Sequence, residues 1–295
     1  MKPANFKYEA PASLEEAREL LRAHGGEAKI LAGGQSLMPL LNMRLARPQV
    51  IVDINRVQEL EFIRVGEDGL HLGALVRQAK LEEDPLIARH CYPLKEIAPF
   101  IGHPATRCRG TVGGSLAHAD PAAELPSLLV ALGARFKISG EGERWVPADD
   151  FFVTYFTTAL GPEEILSEIV IPYMGQGTGV SFREFNRRWG DFAMAGIAVF
   201  LAVDATGKIR RACLVPVGVE GAPRRIQEVE ARLQGEPRSP GLFEEAGVLI
   251  AREVEAQSDL NASADYRRRL LEVLTVRALE DAYFRAMEES ARGQA

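Results

Sequence analysis

The chain has 295 residues, 46% of them hydrophobic and 26% charged, with 35 basic and 41 acidic side chains and a formal net charge of −6. These proportions exclude a disordered or collagen-like chain, and a chain of this length folds without disulfide or zinc staples. The acidic balance disfavours a general nucleic-acid binder, which needs surplus Lys and Arg to neutralise phosphates.

The opening stretch MKPANFKYEAPASLEEA has no apolar core, so no signal peptide is expected. Ser13-Leu-Glu-Glu16 has the pattern of a capping box. Leu14, Ala17, Leu20 and Leu21 then recur at helical spacing up to Gly25-Gly26, which predicts a helix over about Leu14 to His24. Ala28 to Ala32 and Val50 to Ile54 are short apolar runs, as buried strands are. Phe62 to Val65 and Leu70 to Ala74 flank Gly66-Glu-Asp-Gly69 and predict a hairpin. Pro126 to Leu132 reads as helix, and Arg135 to Ser139 and Ile165 to Ile171 read as strands. Gly175-Gln-Gly-Thr-Gly179 is the strongest linker signal. It divides the chain into residues 1–176 and residues 177–295. Past it, Ser181 to Asn186, Met194 to Val203 and Lys208 to Val217 predict three strands, the last two joined at Asp204-Ala-Thr-Gly207. A long helix is predicted over about Ser263 to Glu289. The longest apolar run, Ala193 to Val203, is too short for a membrane-spanning helix, so a cytoplasmic protein with no membrane span is expected. The fold class is α+β.

The standard P-loop, the G-x-G-x-x-G fingerprint and the G-x-S-x-G elbow are all missing. Cys91, Cys108 and Cys213 are widely separated, so they cannot supply an iron–sulfur cluster or an all-cysteine zinc site. Two glycine segments stand out. In Ile30-Leu-Ala-Gly-Gly-Gln-Ser-Leu37 a strand runs into two glycines and a hydroxyl. Glycines let successive N–H groups converge on one point, a nest that holds an anion without a cationic side chain. Arg107-Cys-Arg-Gly-Thr-Val-Gly-Gly-Ser-Leu116 repeats the pair beside Thr111 and Ser115. Two such segments suit a diphosphate clamped from both sides; the plainer reading is two unrelated turns.

Other candidates are weaker. His118 and Asp120 are one ligand short of a metal site, and a hydrogen-bonding loop accounts for them. Cys108, between Arg107 and Arg109, reads as a packed thiol rather than a nucleophile. Arg187-Arg188 and Arg267-Arg268-Arg269 read as solvated faces or a subunit interface, and Phe192 as core or a cofactor-stacking ring.

LAGGQSLMPLLNMRLARPQVIVDIN and RGTVGGSLAHADPAAELPSLLVALGA resemble the two signatures of the FAD-binding medium subunit of the molybdenum hydroxylases, the group of carbon monoxide dehydrogenase and xanthine dehydrogenase. GPEEILSEIVIPY, RRWGDFA and SDLNASADYRRRLL extend the resemblance over nearly the whole chain. It implies an FAD-binding fold of the vanillyl-alcohol-oxidase (PCMH) type, with two subdomains, about 1–57 and 58–176, holding FAD, plus a C-terminal three-stranded antiparallel sheet with helices. It implies that Ala32, Gly33, Gly34, Gln35, Ser36 and Leu37 wrap the diphosphate together with Thr111, Gly113, Gly114 and Ser115. By the same resemblance Ile30, Leu31, Ile101 and Gly102 line the cofactor, and His118 joins the binding set from within the second signature. Glu124 stands where an aspartate contacting the nucleotide half is common, Leu166 where a residue packs on the isoalloxazine, and Arg183 or Glu184 where many members carry a lysine near the flavin. Cys108 replaces a usual asparagine, and Phe192 a tyrosine found in some members.

The resemblance further implies a heterotrimer, paired as a dimer of heterotrimers. A large subunit carries molybdopterin, a small one carries [2Fe–2S] clusters, and an external acceptor (NAD, a quinone or another oxidant) takes the electrons from FAD. No catalytic base or nucleophile and no metal is expected in this chain, because the cofactor carries the electron chemistry. The alternatives are a self-contained flavin oxidoreductase of the same fold and a non-catalytic interaction module.

Overall fold

The structure, a computed structural model, describes residues 2–292. Half of the capping box forms: the Glu16 carboxylate accepts the Ala12 amide at 2.8 Å rather than that of Ser13, the N-cap. Ser13 Oγ accepts the Glu16 amide at 3.2 Å, and the helix runs Leu14–His24 with Ala17 and Leu21 buried. It packs on a three-stranded parallel sheet ordered Lys7–Glu9, Val50–Asp53, Ala28–Leu31. The carboxyl ends of the two longer strands lie side by side, Leu31 opposite Asp53. In open parallel sheets this is the end at which ligands are held.

A second, antiparallel sheet runs Ile63–Val65, Leu70–Gly73, Ile165–Ile171, Arg135–Ser139, Glu143–Pro147. Its central strand, Ile165–Ile171, is buried along its whole length. That strand carries Glu168, whose Oε1 meets His71 Nδ1 and Arg64 Nη2, both at 2.6 Å; Asp68 meets His71 Nε2 at 2.8 Å. The charges thus satisfy one another where a lone buried carboxylate would be costly. Both sheets belong to one compact unit, formed by the chain up to Ala119 with Arg135–Ile171.

The other compact unit comprises Asp120–Ala134 and the chain from Pro172. Its core is an antiparallel sheet of Thr178–Phe185, Ala195–Val203 and Ile209–Val217. The first strand starts inside the expected linker, at Thr178, because helix Ala264–Arg292 lies close against it: a Cβ on Gly179 would stand 2.0 Å from the Ala282 carbonyl oxygen. Every residue of Ala195–Val203 is buried; Ile197, Val199 and Leu201 meet the apolar side chains of helices Pro240–Glu253 and Ala264–Arg292. Helix Glu124–Ala131, within the expected first domain, belongs to this unit: all eight of its residues are buried, it packs on Ile209–Val217, and Ser127 Oγ donates to Pro216 O at 2.9 Å.

One arginine of the run 267–269 is not on a solvated face. Arg267 is buried rather than solvated, donating to Met194 O and, at 2.7 Å, to Gly218 O, and pairing with Asp259 at 2.8 Å. Phe192 is not core, being 62% exposed, and Cys108 is an exposed thiol rather than a packed one. Among the described residues no helix is long and apolar enough to cross a membrane.

Candidate functional site

The first glycine segment leaves strand Ala28–Leu31 at its carboxyl end and turns into helix Leu37–Asn42. Gly34 makes the turn with φ +73°, a region that costs an L side chain about 1–2 kcal/mol. Among the described residues, the amides of Gly33, Gly34, Gln35 and Ser36 donate to no protein acceptor; the Gln35 side chain folds back onto Gly33 O at 3.2 Å. Consecutive free N–H groups form a concave site of positive potential. A cavity of ≈ 410 Å³ opens beside them, lined by Leu31, Ala32, Gly33, Gly34, Gln35, Met38, Pro39, Asp53, Asn55 and Arg109.

The second segment is not the loop its glycines suggest. Thr111 caps helix Val112–His118, accepting the Gly114 amide on Oγ1 at 3.0 Å. The Gly113 amide donates to Ala74 O and the Val112 amide to Val76 O, both at 2.9 Å, and the Ser115 amide to Thr111 O at 3.1 Å. These donors are committed within the protein. The glycines here serve close approach: a Cβ on Gly113 would lie 2.5 Å from Ala74 Cβ and 2.7 Å from Ala74 O. The Ser115 hydroxyl forms no hydrogen bond among the described residues.

The two segments meet. A Cβ on Gly33 would stand 2.5 Å from Arg109 O and 2.8 Å from Gly110 Cα, and one on Gly114 would lie 3.8 Å from Ala32 Cβ. Sequence reasoning missed the side chains that brace this approach. Arg77 donates to Arg109 O and to Asn55 Oδ1, each at 2.6 Å, and Asn55 Nδ2 donates to Ala32 O at 2.8 Å. Tyr8 donates its hydroxyl to Asp53 Oδ2 at 2.6 Å. Partial burial pushes the Asp53 carboxyl up, but hydrogen bonds from Tyr8 and Asn55 outweigh it and hold the group below its ordinary range. Burial, then the neighbouring Arg109 charge, lowers Arg77.

The other candidates fall in two places. Ile30, Leu31, Ile101, Gly102, Leu166 and His118 belong to the unit that holds both glycine segments. Ile101 and Gly102 present carbonyls to Arg107 Nη1, at 3.1 and 2.9 Å. Leu166 is buried opposite Ile138, and the His118 ring tilts against Phe156 at 5.2 Å. Glu124 and Arg183 belong to the other unit. Arg183 is engaged by Asp281, its Nε 2.7 Å from Oδ2. Its neighbour Glu184 points to the opposite face of the strand. The Glu184 carboxyl has one oxygen bonded to Asn186 Nδ2 at 3.1 Å and the other buried with no hydrogen-bond partner. Burial, with the Glu124 charge adding to it, pushes Glu184 up to about 8; burial pushes Glu124 up to about 7.

A family described as the FAD binding domain in molybdopterin dehydrogenase matches residues 4–174, and one described as the CO dehydrogenase flavoprotein C-terminal domain matches residues 180–282. The chain belongs to the FAD-binding medium subunits of the molybdenum hydroxylases. It is 40% identical to the 6-hydroxypseudooxynicotine dehydrogenase complex subunit alpha of Paenarthrobacter nicotinovorans, over 97% of each chain. Among solved structures it is similar to carbon monoxide dehydrogenase from Hydrogenophaga pseudoflava, with TM-score 0.94 and 35% identity over 97% of this chain and 99% of that one. It is also similar to quinoline 2-oxidoreductase from Pseudomonas putida 86, with TM-score 0.92 and 36% identity over 97% of this chain and 100% of that one. The medium subunit is thus the flavoprotein component of a molybdenum-containing dehydrogenase, and FAD is its cofactor, as the sequence resemblance implies. The residues present fit that cofactor. Four free amides offer donors for a diphosphate, and the space a Cβ would fill at Gly33 is taken by the approaching backbone of the second segment.

Proposed function

We propose that this medium subunit is the electron-transfer subunit of a heterotrimeric molybdenum hydroxylase in the cytoplasm. It takes electrons from the [2Fe–2S] clusters of a small subunit and passes them to an external acceptor, while a large subunit holds molybdopterin and the substrate. Two heterotrimers pair. The observation that carries this reading is the row of free amides from Gly33 to Ser36, drawn against Arg109 and Gly110. FAD, when bound, supplies the redox step between one-electron donors and the acceptor. The chain's own task is to hold and orient it. In this reading Ala32 to Leu37 grip the diphosphate, the Ser115 hydroxyl adds a donor, and Gly113 and Gly114 let the backbones close. Ile30, Leu31, Ile101, Gly102 and Leu166 supply apolar or small walls. Amides and hydroxyls do not titrate near neutrality, so the grip is independent of pH there.

The relatives reported above are named for carbon monoxide, quinoline and an oxynicotine, a diatomic gas set against two nitrogen heteroaromatics. That diversity fits a subunit that never meets the substrate. The test is purification of the tagged chain from its source, with metal and flavin analysis. Molybdenum, iron and FAD co-eluting with two further chains supports the reading. A lone yellow chain that oxidises a small substrate unaided would replace it with the self-contained flavoenzyme.

A further inference from the structure

Two side chains that belong to neither glycine segment join them. Backbone bonds fix where the connection starts. The Val112 amide donates to Val76 O and the Gln78 amide to Gly110 O, both at 2.9 Å, so Arg77 sits between two anchored neighbours, paired with Thr111. Its guanidinium then forks. Nη1 donates to Arg109 O and Nη2 to Asn55 Oδ1, each at 2.6 Å. Asn55 passes the connection on, its Nδ2 donating to Ala32 O at 2.8 Å. The Asn55 amide has one orientation. Nδ2 also meets Asp53 Oδ1 at 2.5 Å, and a turned-over amide would set its oxygen against two acceptors and its NH2 against the guanidinium. Asp53 is in turn held by the Asn55 backbone amide at 2.9 Å and by the Tyr8 hydroxyl at 2.6 Å.

Both ends of this connection are atoms on which the phosphate grip depends. Arg109 O is the oxygen that would stand 2.5 Å from a Cβ on Gly33, so the spacing of the two segments is set at the atom Arg77 holds. Ala32 O belongs to the same peptide unit as the Gly33 N–H, the first of the four free amides. A trans peptide is planar, and its C=O and N–H point opposite ways. A donor on Ala32 O therefore turns the Gly33 N–H away from Asn55 and polarises it toward an acceptor.

We propose that Arg77 and Asn55 are positioning residues for FAD. As one strut they fix the gap between the two segments and aim the Gly33 amide, acting through the backbone they hold. The proposal rests on the reading that Gly33 to Ser36 grip the diphosphate.

The test uses the full-length chain stripped of flavin. Affinity is read by FAD fluorescence titration, folding by melting, and the amides by NMR of 15N-glycine. Asn55→Ala moves the Gly33 resonance before any flavin is added, leaves Gly113 in place, and weakens FAD by about 10-fold. Arg77→Lys keeps the charge but offers one nitrogen to two acceptors, so it weakens FAD by about the same factor. Because the two residues form one strut, the double variant binds FAD within about twofold of Asn55→Ala alone. Three results overturn the proposal. Wild-type affinity in Arg77→Lys would mean that charge, not the fork, is what counts. Losses that multiply to about 100-fold in the double variant would mean two independent supports. An unmoved Gly33 resonance in flavin-free Asn55→Ala would mean that the amide is aimed by something else. Should Asn55→Ala fail to melt cooperatively, the FAD affinity of Arg77→Lys decides alone. The diphosphate reading fails separately, if saturating FAD leaves Gly33 and Gly34 of the wild type unmoved; if they move while every variant binds as the wild type does, the strut alone is wrong.

Discussion

The two glycine pairs look alike in the sequence and do opposite things in the fold. Gly33 and Gly34 leave a run of amides with no internal acceptor, whereas around Gly113 and Gly114 the amides are consumed by Ala74, Val76 and Thr111. The first pair makes a binding surface. The second makes a helix start packed directly on the backbone and side chain of Ala74. A glycine pair is therefore ambiguous until its hydrogen bonds are traced, because the missing Cβ serves exposure of backbone in one place and contact of backbone in the other.

Substitutions separate the roles. The largest effect is expected at Gly113→Val, where the new Cβ would meet Ala74 at 2.5 Å. Overpacking against backbone of this kind costs about 3 kcal/mol or more. We expect the flavin-free protein to melt roughly 5–10 °C lower, with FAD content falling as a consequence. Gly34→Asp acts the other way round. Its Cβ would contact only the Leu31 and Met38 side chains, at 3.2 Å, so flavin-free stability falls by about 1–2 kcal/mol from backbone strain alone. The carboxylate set among the phosphate donors should weaken FAD by about 100-fold or more, read by flavin titration. Equal melting losses in the two variants would erase the distinction.

Smaller changes sharpen it. Thr111→Val removes a helix cap and costs about 1 kcal/mol in melting, with no direct effect on flavin affinity. Ser36→Ala leaves melting unchanged and weakens FAD by about 3- to 10-fold. The pH dependence sets both segments apart from the unit that carries Glu124 and Glu184. Neither Ala32 to Leu37 nor Thr111 to Ser115 contains a titratable side chain. Glu124 and Glu184 are raised, chiefly by burial, to about 7 and about 8. The folded chain keeps protons that the unfolded chain releases in the ordinary carboxylate range. These groups therefore favour folding in acid, and that stability is lost as pH rises toward about 7 and about 8. Glu184→Gln should flatten the decline in melting temperature between about pH 5 and pH 8, and leave FAD titrations of the two glycine segments unaltered.

Much of the architecture is legible in the sequence, for reasons visible in particular elements. Leu14–His24 carries its own start and stop signals, and Arg135–Ser139 and Ile165–Ile171 are bounded as their apolar patterns indicate. Helix Val112–His118 is not legible, because two glycines each lower helix propensity by about 1 kcal/mol and the compensating contact with Ala74 lies far away in sequence. Arg267 misleads for the same reason: the carbonyls of Met194 and Gly218 that make its burial tolerable come from distant strand ends. At the site, the phosphate segment is readable as a strand running into glycines. Arg77 and Asn55 are not, since nothing near them in the sequence marks the partners they bridge.

The most direct test of the central contrast is amide NMR of the flavin-free chain labelled with 15N-glycine and titrated with FAD. Large downfield shifts are expected for the Gly33 and Gly34 amides and little change at Gly113, whose amide is already bonded to Ala74. Saturating FAD with Gly33 and Gly34 unmoved and Gly113 shifted would contradict it.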